Sequence, residues 1–206
     1  MMPTLYLSEH EHRSFTDEVL AGPDRECGRG IFGRRIENDF VAAFLIPAGP
    51  GAHQTRVRFS PDTNWQQIHA DQLHARVCAV YLGDVHSHPG LFDMPSAHDV
   101  RTAREIVSSA DWDTPEAVYP IAVIDGGAVR IRAFLMTRAT QAFDEIPLLI
   151  IPDSHPLMTA VLTGTDALRL EVPRAPEDTP RRAARRAAPR RIIRGAAAAL
   201  RRLSSR

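Results

Sequence analysis

The sequence predicts an α/β fold, in which a β-sheet is sandwiched by helices, with a basic tail at the C-terminus. Segments with strand and helix periodicity alternate along residues 1–140. A nearly continuous apolar run at 77–86 has the length of a central strand that is covered on both faces. Of the 206 residues, 44% are apolar and 24% are charged, so the chain can bury one sizeable core. This composition excludes disorder throughout the chain.

The first elements follow from local periodicity. Residues 3–7 alternate in polarity like a short strand, and 10–21 carry apolar side chains at helical spacing before a Gly-Pro break. The stretch 29–46 predicts two strands around a polar turn, and the alternation at 54–60 predicts one more strand.

The next elements continue the alternation. Apolar positions within 64–78 predict a helix that leads into the strand at 77–86. A second helix is predicted at 96–110. The runs 120–124 and 128–136 flank an Asp-Gly-Gly turn and predict a β-hairpin.

After about residue 140 the periodicity weakens. The segment 141–172 holds two apolar runs bounded by prolines, and it is predicted to pack on the domain formed by 1–140. The segment 173–206 is rich in Pro, Ala and Arg, a composition that cannot bury a core, so it is predicted to be a disordered tail with a short basic helix at 192–203.

Charge is unevenly distributed along the chain. The 25 Asp and Glu residues balance 25 basic residues, all of which are arginine, yet 174–206 alone carries 11 of the arginines and only two acids. The tail lacks interleaved aromatic residues, so a solvated tail is favoured over nucleic-acid binding, which stays open as an alternative. No stretch approaches the ~20 apolar residues of a membrane span, and no secretory signal is present, so we expect a cytoplasmic protein.

The residues that carry chemistry lie between positions 86 and 99. His86 and His88 are two apart on a predicted strand and point to the same side of it, where two imidazoles can share a metal ion. Seven residues separate His88 from Ser96, and Asp99 follows three later in the first turn of a predicted helix. Two nitrogens and a carboxylate form the ligand pattern of a catalytic zinc with one open position. Ser96-x-x-Asp99 is equally the pattern of a helix capping box.

These residues resemble the motif of the JAMM (MPN+) zinc metalloprotease family, in its bacterial JAB form. His86-Ser87-His88-Pro89, Ser96 and Asp99 match the family pattern position by position, and the upstream strand motif is similar to 26–33. In that strand Glu26 matches the family glutamate, and Arg29 stands where a small or apolar residue is usual. The resemblance covers roughly 3–140. It implies a mixed-sheet α/β sandwich that shares its outline with cytidine deaminases.

The resemblance also implies the roles of the site residues. One catalytic Zn²⁺ per chain is expected on His86, His88 and Asp99, where it lowers the pKa of its water to about 7. Glu26 is expected to act as general acid and base, and Ser96 to donate a hydrogen bond to the oxyanion. The adjacent Cys27 is interpreted as a buried, small apolar residue rather than a nucleophile.

The expected function is that of a zinc-dependent isopeptidase or peptidase that hydrolyses the bond after the C-terminus of a ubiquitin-like protein. Its expected partners are that protein or its conjugates, together with E1-like and E2-like proteins encoded nearby. Three alternatives stay open at this point. They are a hydrolase that processes a small sulfur-carrier protein in cysteine or cofactor biosynthesis, a non-catalytic binding or scaffold module, and a nucleic-acid-associated protein directed by its tail.

Overall fold

The computed structural model describes residues 2–110 and 112–163, and it confirms the predicted α/β class. Its helices are α1 (Glu9–Ala21), α2 (Thr63–Val77), α3 (Ala97–Ser108) and α4 (Pro156–Leu162). Its strands are β1 (Leu5–Ser8), β2 (Gly28–Ile36), β3 (Asp39–Pro47), β4 (His53–Thr55), β5 (Arg58–Ser60), β6 (Val80–Ser87), β7 (Glu116–Val118), β8 (Ile121–Asp125), β9 (Ala128–Thr137), β10 (Phe143–Ile146) and β11 (Leu148–Ile151). The predictions for 173–206, including the helix at 192–203, lie outside the described residues.

Nine of these strands form one mixed sheet, the kind of sheet that the family resemblance implies. The strand order is β10-β9-β7-β6-β2-β3-β1-β11, and β8 pairs with both β6 and β9. β1 runs parallel to β3 and β11, and β6 runs parallel to β7 and β8, whereas the remaining pairs are antiparallel. The central strands β2 and β6 are mostly buried, which agrees with a central place in the sheet. None of the helices in 2–110 and 112–163 is long and apolar enough to cross a membrane.

The two edges of this sheet are joined by a single segment of chain. Residues of β10 pair with β9 at one edge, and after Pro147 the chain continues as β11 and pairs with β1 at the other edge. The Pro147 carbonyl accepts a hydrogen bond from the Leu5 N–H at 2.9 Å. The described part of 141–172 therefore contributes two strands to the sheet, in addition to α4, which contacts β3.

One predicted strand is divided in two. The sequence predicts a single strand at 54–60, but β4 and β5 form a separate two-stranded hairpin with a turn at 56–57. The Thr55 side chain accepts a hydrogen bond from the Val57 N–H and donates one to the Arg58 carbonyl, which closes the turn. The prediction is wrong because the turn contains no Gly, Pro or Asn, and polarity alternates through it as if the strand continued.

The main core lies between α1 and the sheet. Phe15 and Val19 of α1 are buried against side chains of the sheet such as Ile31 and Leu45. Ser8 caps this helix by accepting a hydrogen bond from the Glu11 N–H. Burial of these apolar side chains supplies most of the stabilisation of the helix, because an isolated helix of this length is marginal in water.

Arg29 adds a polar link between β2 and α1. Its side chain is only 9% exposed, its Nε donates to the Glu18 carboxylate at 2.7 Å, and its terminal nitrogens donate to the hydroxyl and carbonyl oxygens of Ser14. The Glu11 carboxylate lies 3.7 Å from the same guanidinium group. An arginine is thus accommodated in the buried strand because α1 supplies hydrogen-bond acceptors for its guanidinium group.

Candidate metal centre

The two histidines lie at the end of β6. The Nε2 atoms of His86 and His88 are 3.0 Å apart, and both residues are buried. Main-chain hydrogen bonds hold this end of the strand, since the His86 N–H donates to the Pro120 carbonyl and the His88 N–H to the Ala122 carbonyl. The spacing of two along the strand therefore places both rings on one side, as the sequence predicts.

Asp99 approaches from the first turn of α3. Its Oδ1 lies 3.3 Å from His86 Nε2, and its Oδ2 lies 3.5 Å from His88 Nε2. The ligand atoms of the three residues lie within 4.8 Å of one another. Burial alone would raise the pKa of the Asp99 carboxyl, but hydrogen bonds with His86 and His88 outweigh it and hold this pKa well below its usual range. The carboxyl is therefore ionised, as a metal ligand must be.

These three side chains fit a zinc ion. Zinc bonds of about 2.0–2.1 Å in tetrahedral geometry place neighbouring ligand atoms about 3.3 Å apart. The separations among His86, His88 and Asp99 are 3.0, 3.3 and 3.5 Å. Two imidazole nitrogens and one carboxylate also form a donor set that zinc accepts, and it leaves a fourth position for water or substrate.

A second hydrogen bond orients His88. Its Nδ1 donates to the Phe92 carbonyl at 2.8 Å, and this leaves the lone pair on Nε2, the atom that faces His86 and Asp99. The Phe92 ring stacks on the imidazole with the ring centres 5.9 Å apart. The loop after the strand therefore fixes both the tautomer and the direction of this ring.

Ser96 and Asp99 form a capping box at the start of α3. The Ser96 N–H donates to Asp99 Oδ2 at 2.6 Å, and the Asp99 N–H donates to Ser96 Oγ at 3.2 Å. The capping bond uses Ser96 Oγ as an acceptor, so this bond does not use the hydroxyl hydrogen. The capping and ligand interpretations of this motif are compatible, because the Asp99 carboxylate that accepts the capping bond also faces both histidines.

Glu26 precedes β2 and faces the same site. Its N–H donates to the Thr55 carbonyl of β4 at 2.7 Å, and its side chain lines a cleft together with His86 and Asp99. Burial raises the pKa of this carboxyl above its usual value, and the nearby histidines oppose the rise. A carboxyl with a raised pKa beside a metal centre is suited to proton transfer.

Cys27 and Ser87 support the strand pair rather than the chemistry. Cys27 is fully buried, burial raises the pKa of its thiol, and its N–H donates to Ser87 Oγ at 2.9 Å. The Ser87 N–H in turn donates to the Cys27 carbonyl. The interpretation of Cys27 as a small apolar residue agrees with this burial.

The cleft beside the candidate metal ligands contains a carboxylate that the sequence analysis does not identify. Asp84 lies on β6, burial raises its pKa to about 6, and its Oδ2 accepts a hydrogen bond from the Tyr81 hydroxyl at 2.5 Å. A bulge at Leu82 shifts the register of β6 against β2 and places Tyr81 and Asp84 on the same side, although three positions separate them. The available signal was a charged residue in an apolar strand, two positions before His86.

Comparison with known proteins connects this site to a family. The family model described as prokaryotic homologs of the JAB domain matches residues 8–137. A protein of Sinorhizobium fredii named "Probable metalloprotease" is 38% identical over 123 residues, which cover 57% of this chain and 74% of that protein.

A solved structure supports the fold. The solution structure of a protein from Desulfitobacterium hafniense superposes with a TM-score of 0.57 at 22% identity, covering 72% of this chain and 93% of the other. At that identity the likeness extends to the architecture alone.

Proposed function

This chain belongs to the family of prokaryotic homologs of the JAB domain, and on that premise we propose that it is a zinc-dependent peptidase. The observation that carries the proposal is the convergence of His86, His88 and Asp99 beside the Glu26 carboxyl. The Sinorhizobium relative with the name of a metalloprotease supports a metal-dependent hydrolase. We further propose that the bond hydrolysed follows the C-terminus of a ubiquitin-like protein.

Each site residue has a defined task in this proposal. His86, His88 and Asp99 hold the zinc, which when bound supplies a water nucleophile at neutral pH and polarises the scissile carbonyl. The Glu26 carboxylate takes a proton from the attacking water and delivers it to the nitrogen of the leaving amine. The Ser96 hydroxyl donates to the carbonyl oxygen as negative charge develops there.

An exposed apolar loop supports a folded substrate rather than a short peptide. Leu91, Phe92 and Met94 lie three to six positions after His88 and are 66%, 56% and 41% exposed. The intervening Asp93 holds the loop against β9, because its carboxylate pairs with Arg130 at 2.9 Å and with Arg132 at 3.1 Å. A fixed apolar surface beside an active site is a feature of sites that dock another protein.

The chemistry is tested with Glu26→Gln and the matched control Glu105→Gln, an exposed glutamate on α3. The first variant should retain zinc and fold but lose turnover, since it removes the proton carrier and no ligand. The control should behave like the unaltered protein. Substantial turnover by Glu26→Gln would refute the assigned base.

The proposed substrate class is tested by comparing two substrates. One is a conjugate of a folded ubiquitin-like protein encoded near this gene, and the other is a short peptide that carries the same C-terminal tail and scissile bond. We expect a higher kcat/KM on the conjugate, and Leu91→Ser should reduce that advantage while Leu20→Ser on α1 leaves it intact. Equal values on the two substrates would favour a small peptidase. Faster hydrolysis of a sulfur carrier charged with cysteine would favour the biosynthetic alternative.

A further inference from the structure

The cleft beside the metal centre has a chemical character that the hydrolytic mechanism does not use. Five of the described residues that line it carry aromatic rings, and they come from β2, β5, β6 and the segment 112–119. These rings belong to Phe32, Phe59, Tyr81, Trp112 and Tyr119. The Tyr81 ring packs edge-on against Phe32, with the ring centres 5.8 Å apart, and is tilted against Trp112, with the ring centres 5.1 Å apart, so these three rings support one another.

Asp84 supplies a negative charge within this aromatic wall. Tyr81 donates to its Oδ2, and no ion pair joins Asp84 to any arginine in the described part of the chain. The chain contains 25 arginines, yet none is among the described residues that line the cleft. A carboxylate removed from water costs free energy unless a cation or hydrogen bonds compensate it. A bound cation would therefore be stabilised next to the Asp84 carboxylate.

Two further polar groups on the cleft walls lack partners. The indole N–H of Trp112, a residue only 6% exposed, has no hydrogen-bond partner among the described residues, and neither has the Thr102 hydroxyl on α3. Buried polar atoms without partners are uncommon in folded proteins, and they call for a ligand or ordered water. Two residues that line this cleft therefore retain buried hydrogen-bonding groups that the described part of the chain does not satisfy.

From this arrangement we propose that the cleft binds a cationic side chain of the polypeptide substrate, with Asp84 as its charge partner and the rings of Tyr81 and Trp112 as its walls. Aromatic faces attract cations, and arginine suits such a site best because its planar guanidinium stacks on rings while it donates to a carboxylate. Because Glu26, His86 and Asp99 line the same cleft, the cationic residue lies close to the bond that is cut. This proposal rests on the proposed peptidase function for the identity of the ligand as a polypeptide.

A binding measurement tests the proposal independently of turnover. The probe is a blocked Gly-Arg-Gly tripeptide, and the matched neutral probe has citrulline, which keeps the shape of arginine without its charge. The full-length, zinc-loaded protein is titrated with each by NMR, and the indole N–H resonance of Trp112 reports binding at this cleft. The chain has two tryptophans, Trp65 and Trp112, so the indole N–H resonance that disappears in Trp112→Phe is the one of Trp112.

We expect the arginine tripeptide to shift the Trp112 resonance and to bind at least about tenfold more tightly than the citrulline tripeptide, since a hydrogen bond to a charged group is worth more than a neutral one. A lysine tripeptide should also bind more tightly than citrulline, but less than arginine. Asp84→Asn should abolish the difference between arginine and citrulline. Asp71→Asn, an exposed aspartate on α2, should preserve it.

Equal affinity for the arginine and citrulline probes, or a Trp112 resonance that stays unmoved as they bind, would overturn the proposal. This comparison uses the unaltered protein and so stands even if Asp84→Asn unfolds. A charge preference with no peptidase activity would leave the cation site in place and refute the proposed function alone. Peptidase activity without a charge preference would refute the cation site and leave the proposed peptidase function in place.

Discussion

Ser96 and Asp99 cap each other at the N-terminus of α3, and the Asp99 carboxylate that closes this helix also faces both histidines. Asp99 Oδ2 accepts from the Ser96 N–H at 2.6 Å, while Oδ1 lies 3.3 Å from His86 Nε2. The cap therefore fixes the rotamer of a metal-ligand candidate before any metal binds. The same few atoms connect the stability of a helix with the geometry of the site.

The two tasks of Ser96 can be separated by two substitutions. Ser96→Ala should destabilise the protein by about 1 kcal/mol through the lost cap, whereas Ser96→Gly should cost only a few tenths, because glycine is tolerated at this position. Both variants lose the hydroxyl, so both should lower kcat by a similar factor of roughly 10²–10³. Thermal unfolding and steady-state kinetics measure the two effects. Activity that tracks stability instead would assign Ser96 to capping alone.

Zinc content should depend on the strand-end histidines. The purified protein is expected to contain about one zinc per chain, and His86→Ala should lower zinc and activity together because it removes one of three ligands. His53→Ala, at an exposed position of β4, is the matched control and should retain both. Atomic absorption measures the metal. Full zinc occupancy in a chain that lacks both His86 and His88 would place the metal elsewhere.

The buried Arg29 should be far more important for stability than an exposed arginine. Arg29→Leu leaves the Glu18 and Glu11 carboxylates beside an apolar group, and it should lower the free energy of unfolding by about 3 kcal/mol. Arg56→Leu removes a partner of Asp24 at a solvent-exposed pair and should cost less than about 1 kcal/mol. Urea unfolding compares the two. Similar losses in both variants would contradict the role given to the buried cluster.

The segment after residue 140 should be essential to the domain, and the tail should not. A chain that ends at 140 loses β10, β11 and α4, and with them the buried side chains of Ile146, Ile151 and Met158, so it should fail to fold. A chain that ends at 173 should keep its cooperative unfolding and its activity on a small substrate. Circular dichroism and a peptide assay measure these outcomes. A stable, active 1–140 fragment would show that β10 and β11 are dispensable.

Local patterns predicted the elements and the candidate ligands better than the long-range connections. His86, His88 and Asp99 could be identified because their spacing on one strand and one helix turn fixes their relative positions. Asp84 escaped the prediction, since its approach to Tyr81 depends on a bulge in β6 that polarity does not record. The pairing of β1 with β11 escaped it as well, because a four-residue apolar strand carries no signal of its distant partner.

That pairing constrains the order in which the protein can be completed during synthesis. Leu5 pairs with Leu148, which lies 143 positions later in the chain, so one edge of β1 stays unpaired until β11, the last strand of the described residues, has been made. At about 5–20 residues per second the interval is roughly 7–30 s, during which a nascent chain presents an unpaired strand edge. Ribosome-bound chains arrested before residue 148 should therefore be digested by protease faster than released full-length chains. The chain is therefore expected to be most susceptible to proteolysis while it is being translated.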